Sequence, residues 1–429
     1  CDPPSACRGG SADNCTAASG ADEVLCKAGM FCSAGFAGER CSQCADRWYR
    51  SKSACEPCPQ LSILYVLLFV VGLVAALAVA NVLMRLGSSL APLTIAVDYF
   101  QVLGRFGSIE LDWSDTTRSV MQSFQLFELD IQLAAPECFV KAGFTTKWLG
   151  VQSVPLICAA MLLVQYGLWL VWYRRKPTET KLRQRERLMG VMLLMLQVLY
   201  MTLAGKTLDA FDCNPLADGS SVLAADPAIV CGSAEHNRLR AYGGVTAAVY
   251  VIGIPVLFAW CLVIARRRIR AARQAASAAE SDIARRHGAL GRQHSGRDVV
   301  ARMTPMAARE VRRVRSDMHG QLMRVEAMFG CLYRRFTFQS QFWLLVLMAR
   351  RLGITFIGTM LTLRPRTQAA LLLSVLLLSV ALQLSQRPYC LVDEIGDSLT
   401  KLRRRKRDDR DSIESARERV RRFVRMLRE

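Results

Sequence analysis

The sequence holds only four histidines in 429 residues: His236, His287, His294 and His319. All four fall in stretches that read as loops, and none has a second metal ligand at helical spacing. A glycine-rich phosphate loop beside a strand is absent, and so is a nucleophile elbow. These gaps remove the usual constellations of an enzyme, and no catalytic residue, cofactor or metal centre is expected. Acidic residues are also scarce, 36 against 56 Lys and Arg, for a formal net charge of +20. In a soluble chain that excess would point to nucleic acid. Here the basic residues lie between and after long apolar runs, so the positive-inside rule accounts for them and no nucleic-acid partner is called for.

Residues 1–58 have few large apolar side chains but carry nine of the sixteen cysteines. Such a segment cannot bury a core and must be held by covalent staples. Cys32-Ser-Ala-Gly35-Phe36-Ala-Gly38-Glu-Arg-Cys41 matches the C-x-x-G-F-x-G-x-x-C signature of an EGF-like module, with glycines for the tight turns its bridge needs. The Cys41/Cys44 and Cys55/Cys58 pairs around Trp48-Tyr49 have the look of a laminin-type variant. A zinc knuckle is the rival reading, since both pairs have metal-ligand spacing. Nine is odd, so one cysteine bonds upstream of the sequence or elsewhere on the outer face. The chain opens at Cys1 without Met or a signal peptide, and reads as a processed or partial form with more ectodomain upstream. Asn14-Cys15-Thr16 is a glycosylation sequon, consistent with an extracellular position.

Five runs are free of charge over membrane-spanning lengths: 57–84, 148–173, 188–205, 241–265 and 367–386. Residues 336–363 form a sixth, with Arg350 and Arg351 at its middle. A charge at that depth costs about 2.5–3.5 kcal/mol, so the two arginines must face protein, water or headgroups. Residues 86–112 carry Asp98 and Arg105 about two turns apart, then Glu110, on a segment whose Ile95, Phe100, Val102, Leu103, Phe106 and Ile109 give it an apolar face. That segment reads as a buried amphipathic helix lining the bundle, with a re-entrant or interfacial helix as the alternative. Asp98 is expected to pair with an arginine.

Counting it, the fold class is an all-α polytopic membrane bundle of about seven spans. The amino terminus lies outside, the carboxyl terminus inside, and a small disulfide-rich EGF/laminin-like ectodomain precedes the bundle. The division is 1–58 extracellular, 59–390 membrane domain and 391–429 charged cytoplasmic tail. Basic stretches 174–187 and 266–335 then fall in the cytoplasm as loops, the second with helical extensions and a flexible middle. Cys213 and Cys231 fall on the oxidising side and should pair, contributing about 3 kcal/mol by loop closure. Anionic lipid or a cytoplasmic protein is the expected partner of the basic loop and tail.

Several short motifs come in a distinctive order. Cys213-Asn-Pro-Leu, Asp218-Gly-Ser, Asp226-Pro, Cys231 and His236 lead into Tyr250-Val-Ile-Gly-Ile-Pro255. Phe329-Gly-Cys-Leu-Tyr333, Phe342-Trp343, Arg350-Arg351 and Arg387-Pro388-Tyr389 follow. Over residues 30–390 this resembles the cysteine-rich, EGF-bearing polytopic membrane proteins of algae and other protists. Those proteins are distantly TRP-like and often labelled G-protein-coupled-receptor-related. The chain departs from that pattern at Trp343-Leu344, where the group has Trp-Glu, so an acidic partner for Arg350 or Arg351 is missing there. It also runs into the charged tail where the group continues with further spans, so the membrane domain reads as truncated.

The resemblance implies a polytopic plasma-membrane protein, and the intramembrane charges Asp98, Arg105, Arg350 and Arg351, read as a polar pathway or sensor, favour a TRP-like ion channel or transporter. A cell-surface receptor or adhesion protein, binding an extracellular protein through the EGF-like segment, is the alternative. A structural anchor for an extracellular assembly is a third reading. Besides the lipid bilayer, further copies of the chain are admissible partners in an oligomer.

Overall fold

The computed structural model describes residues 32–37, 43–51, 54–58, 62–85, 91–106, 143–175, 177–215, 219–286, 305–337, 339–362 and 364–389, with a few positions between 114 and 138, among them Cys138. Asn14, Cys41 and the tail 391–429 lie outside the described residues.

Two short antiparallel hairpins open the described chain. Strands β1 (Phe36–Ala37) and β2 (Gln43–Cys44) form one, and β3 (Trp48–Ser51) and β4 (Ala54–Pro57) the other. Gly35 takes φ +90° with the Trp48 ring packed where a side chain would stand, so only glycine fits that turn. Cys44 bonds Cys55, and Cys58 bonds Cys138. Cys32 is also disulfide-bonded. With these sulfurs engaged in disulfides, the zinc-knuckle alternative is removed, because a metal needs free thiolates. The Cys58–Cys138 bond ties the hairpins to the segment before the third helix.

Among the described residues eight helices follow: α1 (Ser62–Arg85), α2 (Ala91–Phe106), α3 (Phe144–Trp172), α4 (Thr178–Asp209), α5 (Ala234–Arg286), α6 (Pro305–Tyr333), α7 (Trp343–Met360) and α8 (Pro365–Gln386). Among the described residues α3, α4, α5, α7 and α8 are long and apolar enough to cross a membrane, against the seven spans expected. In α1 the described apolar stretch is the shorter Val70–Met84. The 16 residues of α2 reach only about 24 Å, short of a hydrocarbon core of about 30 Å.

Helix α4 is the centre of the bundle. Its Leu188, Val191 and Leu194 pack on Leu77 and Ala80 of α1. Leu199, Tyr200 and Leu203 meet Phe258 and Leu262 of α5 and Leu344 and Met348 of α7. Gly190 of α4 lies against the Ala327 carbonyl of α6, a close approach that small residues allow where lipid gives no hydrophobic drive to association. The outer faces stay apolar and exposed, as at Leu163 and Leu168 of α3, Val256 and Trp260 of α5, and Leu377 and Leu384 of α8. Lipid can solvate such faces where water cannot.

Within α5 the backbone widens to a π-helical turn over Ala247–Ile252, just before Pro255. Proline cannot donate to the carbonyl four residues back, that of Val251. The Tyr200 hydroxyl donates to it instead, at 3.4 Å.

The regions read as loops are more ordered than expected. Stretch 174–187 is mostly the first turns of α4, because helix propensity persists past the apolar span. Residues 266–335 are chiefly the end of α5 and all of α6. The 53 residues of α5 reach about 80 Å, so its basic end projects beyond any bilayer. There it pairs with α6 through Ile283, Ala307 and Val311 and an Arg315–Glu280 ion pair at 2.7 Å. Residues 211–240 hold a three-stranded antiparallel sheet of β5 (Cys213–Pro215), β6 (Ser221–Leu223) and β7 (Asp226–Val230). Following the chain through the antiparallel helices puts the Cys44–Cys55, Cys58–Cys138 and Cys213–Cys231 disulfides at one end of the bundle and the α5–α6 hairpin at the other.

Candidate functional site

The α2 sequence Ala91–Phe106 turns its polar residues toward the bundle. Thr94, Asp98 and Gln101 are buried, while Leu93, Ile95 and Tyr99 are exposed. Spacings of four and three put the polar trio on one face. Gln101 Nε2 donates to the Val198 carbonyl of α4 at 3.0 Å. One turn further, the Arg105 guanidinium packs against Gly205 of α4, at a point where any side chain on residue 205 would collide with it.

Asp98 is the hub. Its carboxylate ion-pairs with Arg351 of α7 and lies 3.6 Å from Nη1 of Arg335, in the turn after α6. Arg351 is 1% exposed and also donates from Nη1 to the Gln197 carbonyl of α4 at 2.9 Å. Asp98 therefore supplies the acidic partner that Trp343-Leu344 does not. Adjacent Arg350 points elsewhere, donating to Ser379 Oγ of α8 at 3.3 Å. The four charged residues singled out in the sequence thus divide: Asp98 and Arg351 are joined, Arg105 sits one helical turn or more along α2 against α4, and Arg350 tethers α7 to α8.

Sequence reasoning missed Arg335 and Gln197. Arg335 follows Arg334 directly, and no local signal marks which of the two turns inward. Arg334 stays half exposed on Glu326 at 3.2 Å, whereas Arg335 is buried with its guanidinium over the Phe336 ring at 4.9 Å. Phe336 in turn bridges to Tyr389, and the Thr337 amide donates to the Pro388 carbonyl at 2.8 Å. The Arg387-Pro388-Tyr389 motif therefore positions the turn from which Arg335 reaches inward.

Below this hub, toward the α5–α6 hairpin, opens a cavity of about 940 Å³ between the ends of α1 and α2, the first turns of α4, and α6. Arg335, Arg187, Glu186, Met84 and Met323 are among the residues that line it.

At the opposite end, Cys213 and Cys231 are disulfide-bonded, which closes the sheet onto the start of α5. His236 sits beside them, in the first turn of α5 rather than in a loop. Its Nδ1 accepts the Gly232 amide at 3.0 Å, and its Nε2 faces Cys213 Sγ at 3.8 Å. Two bonded sulfurs and an engaged imidazole make a structural brace, not a metal centre. His319 lies within α6, and His287 and His294 fall outside the described residues.

Five apolar helices with lipid-facing outer surfaces decide the broad class. The chain is a multi-pass membrane protein. No family model, curated protein or solved structure matches it.

Proposed function

We propose that this membrane protein is a TRP-like ion channel or transporter of the plasma membrane, related to the cysteine-rich protist group, with its disulfide-bearing end outside the cell. The observation that carries the reading is the buried cluster of Asp98, Arg351 and Arg335 between α2, α7 and the turn after α6. Replacing a buried ion pair with apolar residues of similar volume is often neutral or stabilising, so stability alone is a weak reason to keep one. Ionisable residues within spans more often serve ion pathways or sensors of the membrane field. A charge on α7 held by a carboxylate on the short α2 gives two helices that can shift relative to α4 by exchanging partners.

The test is whole-cell current from the full chain at the cell surface, wild type against Arg350→Leu/Arg351→Leu, with surface labelling as control. A current altered at equal surface density supports conduction. No current from well-expressed wild type removes it.

One observation favours a second reading, a cell-surface receptor. The Cys58–Cys138 bond links the cysteine-rich hairpins to the segment feeding α3, so force or binding on the hairpins would reach the bundle directly. Binding of an extracellular protein to the isolated surface of expressing cells, lost on mild reduction, would support it.

A further inference from the structure

The cavity below Asp98 has a charge and polarity that its own walls do not complete. Arg183 and Arg324 share Glu179, at 2.8 and 3.2 Å, and Arg334 is held by Glu326. Arg335 is different. Its side chain is 3% exposed, and among the described residues none of its three nitrogens makes a hydrogen bond. Its one acidic neighbour, Asp98, sits at 3.6 Å and already holds Arg351. One carboxylate faces two buried guanidiniums, and the donors of Arg335 stay unfilled in the lining of a polar cavity. An unmet guanidinium at such a site is costly unless an acceptor fills it. Glu186, in the same lining, is buried, and its Oε2 also lacks a hydrogen bond among the described residues. A bare anion would be repelled there, whereas a hydroxyl group would donate to it. Met84, Leu194 and Met323 add apolar side chains to the lining.

We infer that this cavity binds a phosphate monoester of a polyol, its phosphate on Arg335 and its hydroxyl-bearing remainder directed toward Glu186. A planar guanidinium donates two parallel bonds to phosphate, and a monoester carries close to two negative charges at neutral pH. The cavity of about 940 Å³ is at the upper end of ordinary ligand sites, with room for a headgroup and the start of a chain. The same headgroup can come from a lipid or from a soluble ester. The site stands whether or not the protein conducts.

The experiment is thermal unfolding of the purified full chain in detergent, titrated with glycerol 3-phosphate and with oleoyl-glycerol 3-phosphate. Glycerol and an uncharged monoacylglycerol serve as controls. At least one phosphate probe should raise the unfolding temperature, and the controls should not. Stabilisation by both probes alike identifies a soluble ester, and stabilisation by the acylated probe alone identifies a lipid. Arg335→Gln should weaken the response by about tenfold or more, the loss of a charge-assisted pair. Because that variant also disturbs Asp98, Arg335→Lys provides an independent check: it keeps the charge beside Asp98 but loses the planar pair of donors, so its response should fall between wild type and Arg335→Gln. No shift in wild type with either probe overturns the proposal. So does an undiminished response in a folded Arg335→Gln, or a response in Arg335→Lys no larger than that of Arg335→Gln.

Discussion

Arg351 of α7 clasps both Asp98 of α2 and the Gln197 carbonyl of α4, fastening three helices through one guanidinium that is 1% exposed. Gln197 itself is fully buried, and its side-chain amide makes no hydrogen bond among the described residues. The clasp is therefore set in a polar interior that is only partly satisfied. That arrangement is ill suited to a purely structural joint and well suited to one that changes partners.

Asp98→Asn should be strongly destabilising, because it leaves Arg351 and Arg335 buried without a countercharge. Removing one partner of a buried pair costs about 3–5 kcal/mol. The midpoint of thermal unfolding in detergent should fall well below wild type, and Asp98→Asn/Arg351→Met should recover part of the loss. A double variant that is worse than the single would contradict the pairing.

Gly190→Val should separate α4 from α6, since its side chain would be driven into the Ala327 carbonyl and the tip of Met84. Overpacking of this kind costs about 1–3 kcal/mol. Gly150→Val, where the added group meets open space, is the control and should leave the melting curve almost unmoved.

Much of this architecture is legible in the residues. The uncharged runs mark α3, α4, α5 and α8, and the Arg350-Arg351 pair marks α7 as a helix that must shelter charge. The partner of that charge is not legible, because Asp98 and Arg335 approach it from segments distant in sequence. Nor does composition tell how far a basic helix runs: 266–335 reads as a loop with helical extensions of unmarked length, because the apolar positions of 266–286 and 305–333 are mostly alanine and single aliphatics. Those residues pack only once the hairpin folds back on itself at Ile283, Ala307 and Val311. The odd cysteine of 1–58 announces an outside bond, but only the fold shows that Cys58 finds Cys138.

The Cys58–Cys138 bond closes a loop with a sequence separation of 80, worth about 4.5 kcal/mol in the chain-entropy model. A protease site introduced between residues 107 and 113 should yield two fragments that migrate together until reductant is added. Separation without reductant would show that the bond is absent.

Asp212 lies in the turn between α4 and β5, where burial, reinforced by the Asp209 charge, lifts its carboxyl from 3.8 to about 6. The folded state then holds the proton more tightly than the unfolded chain. Stability is favoured below about 4 and declines as pH rises toward 6, because ionisation is penalised only in the folded state. Asp212→Asn should raise the unfolding temperature at pH 7.5 and leave it unchanged at pH 4. An equal effect at both values would assign the change to something other than titration.

The most direct test is a double-mutant cycle on current. Wild type, Asp98→Asn, Arg351→Gln and the double variant would be recorded in whole cells at matched surface density. A conductive membrane domain governed by this pair predicts that each single variant changes the current or its voltage dependence. The double variant should then differ from the sum of the singles. Currents identical in all four at equal surface density, or no current from abundant wild type, would contradict the account.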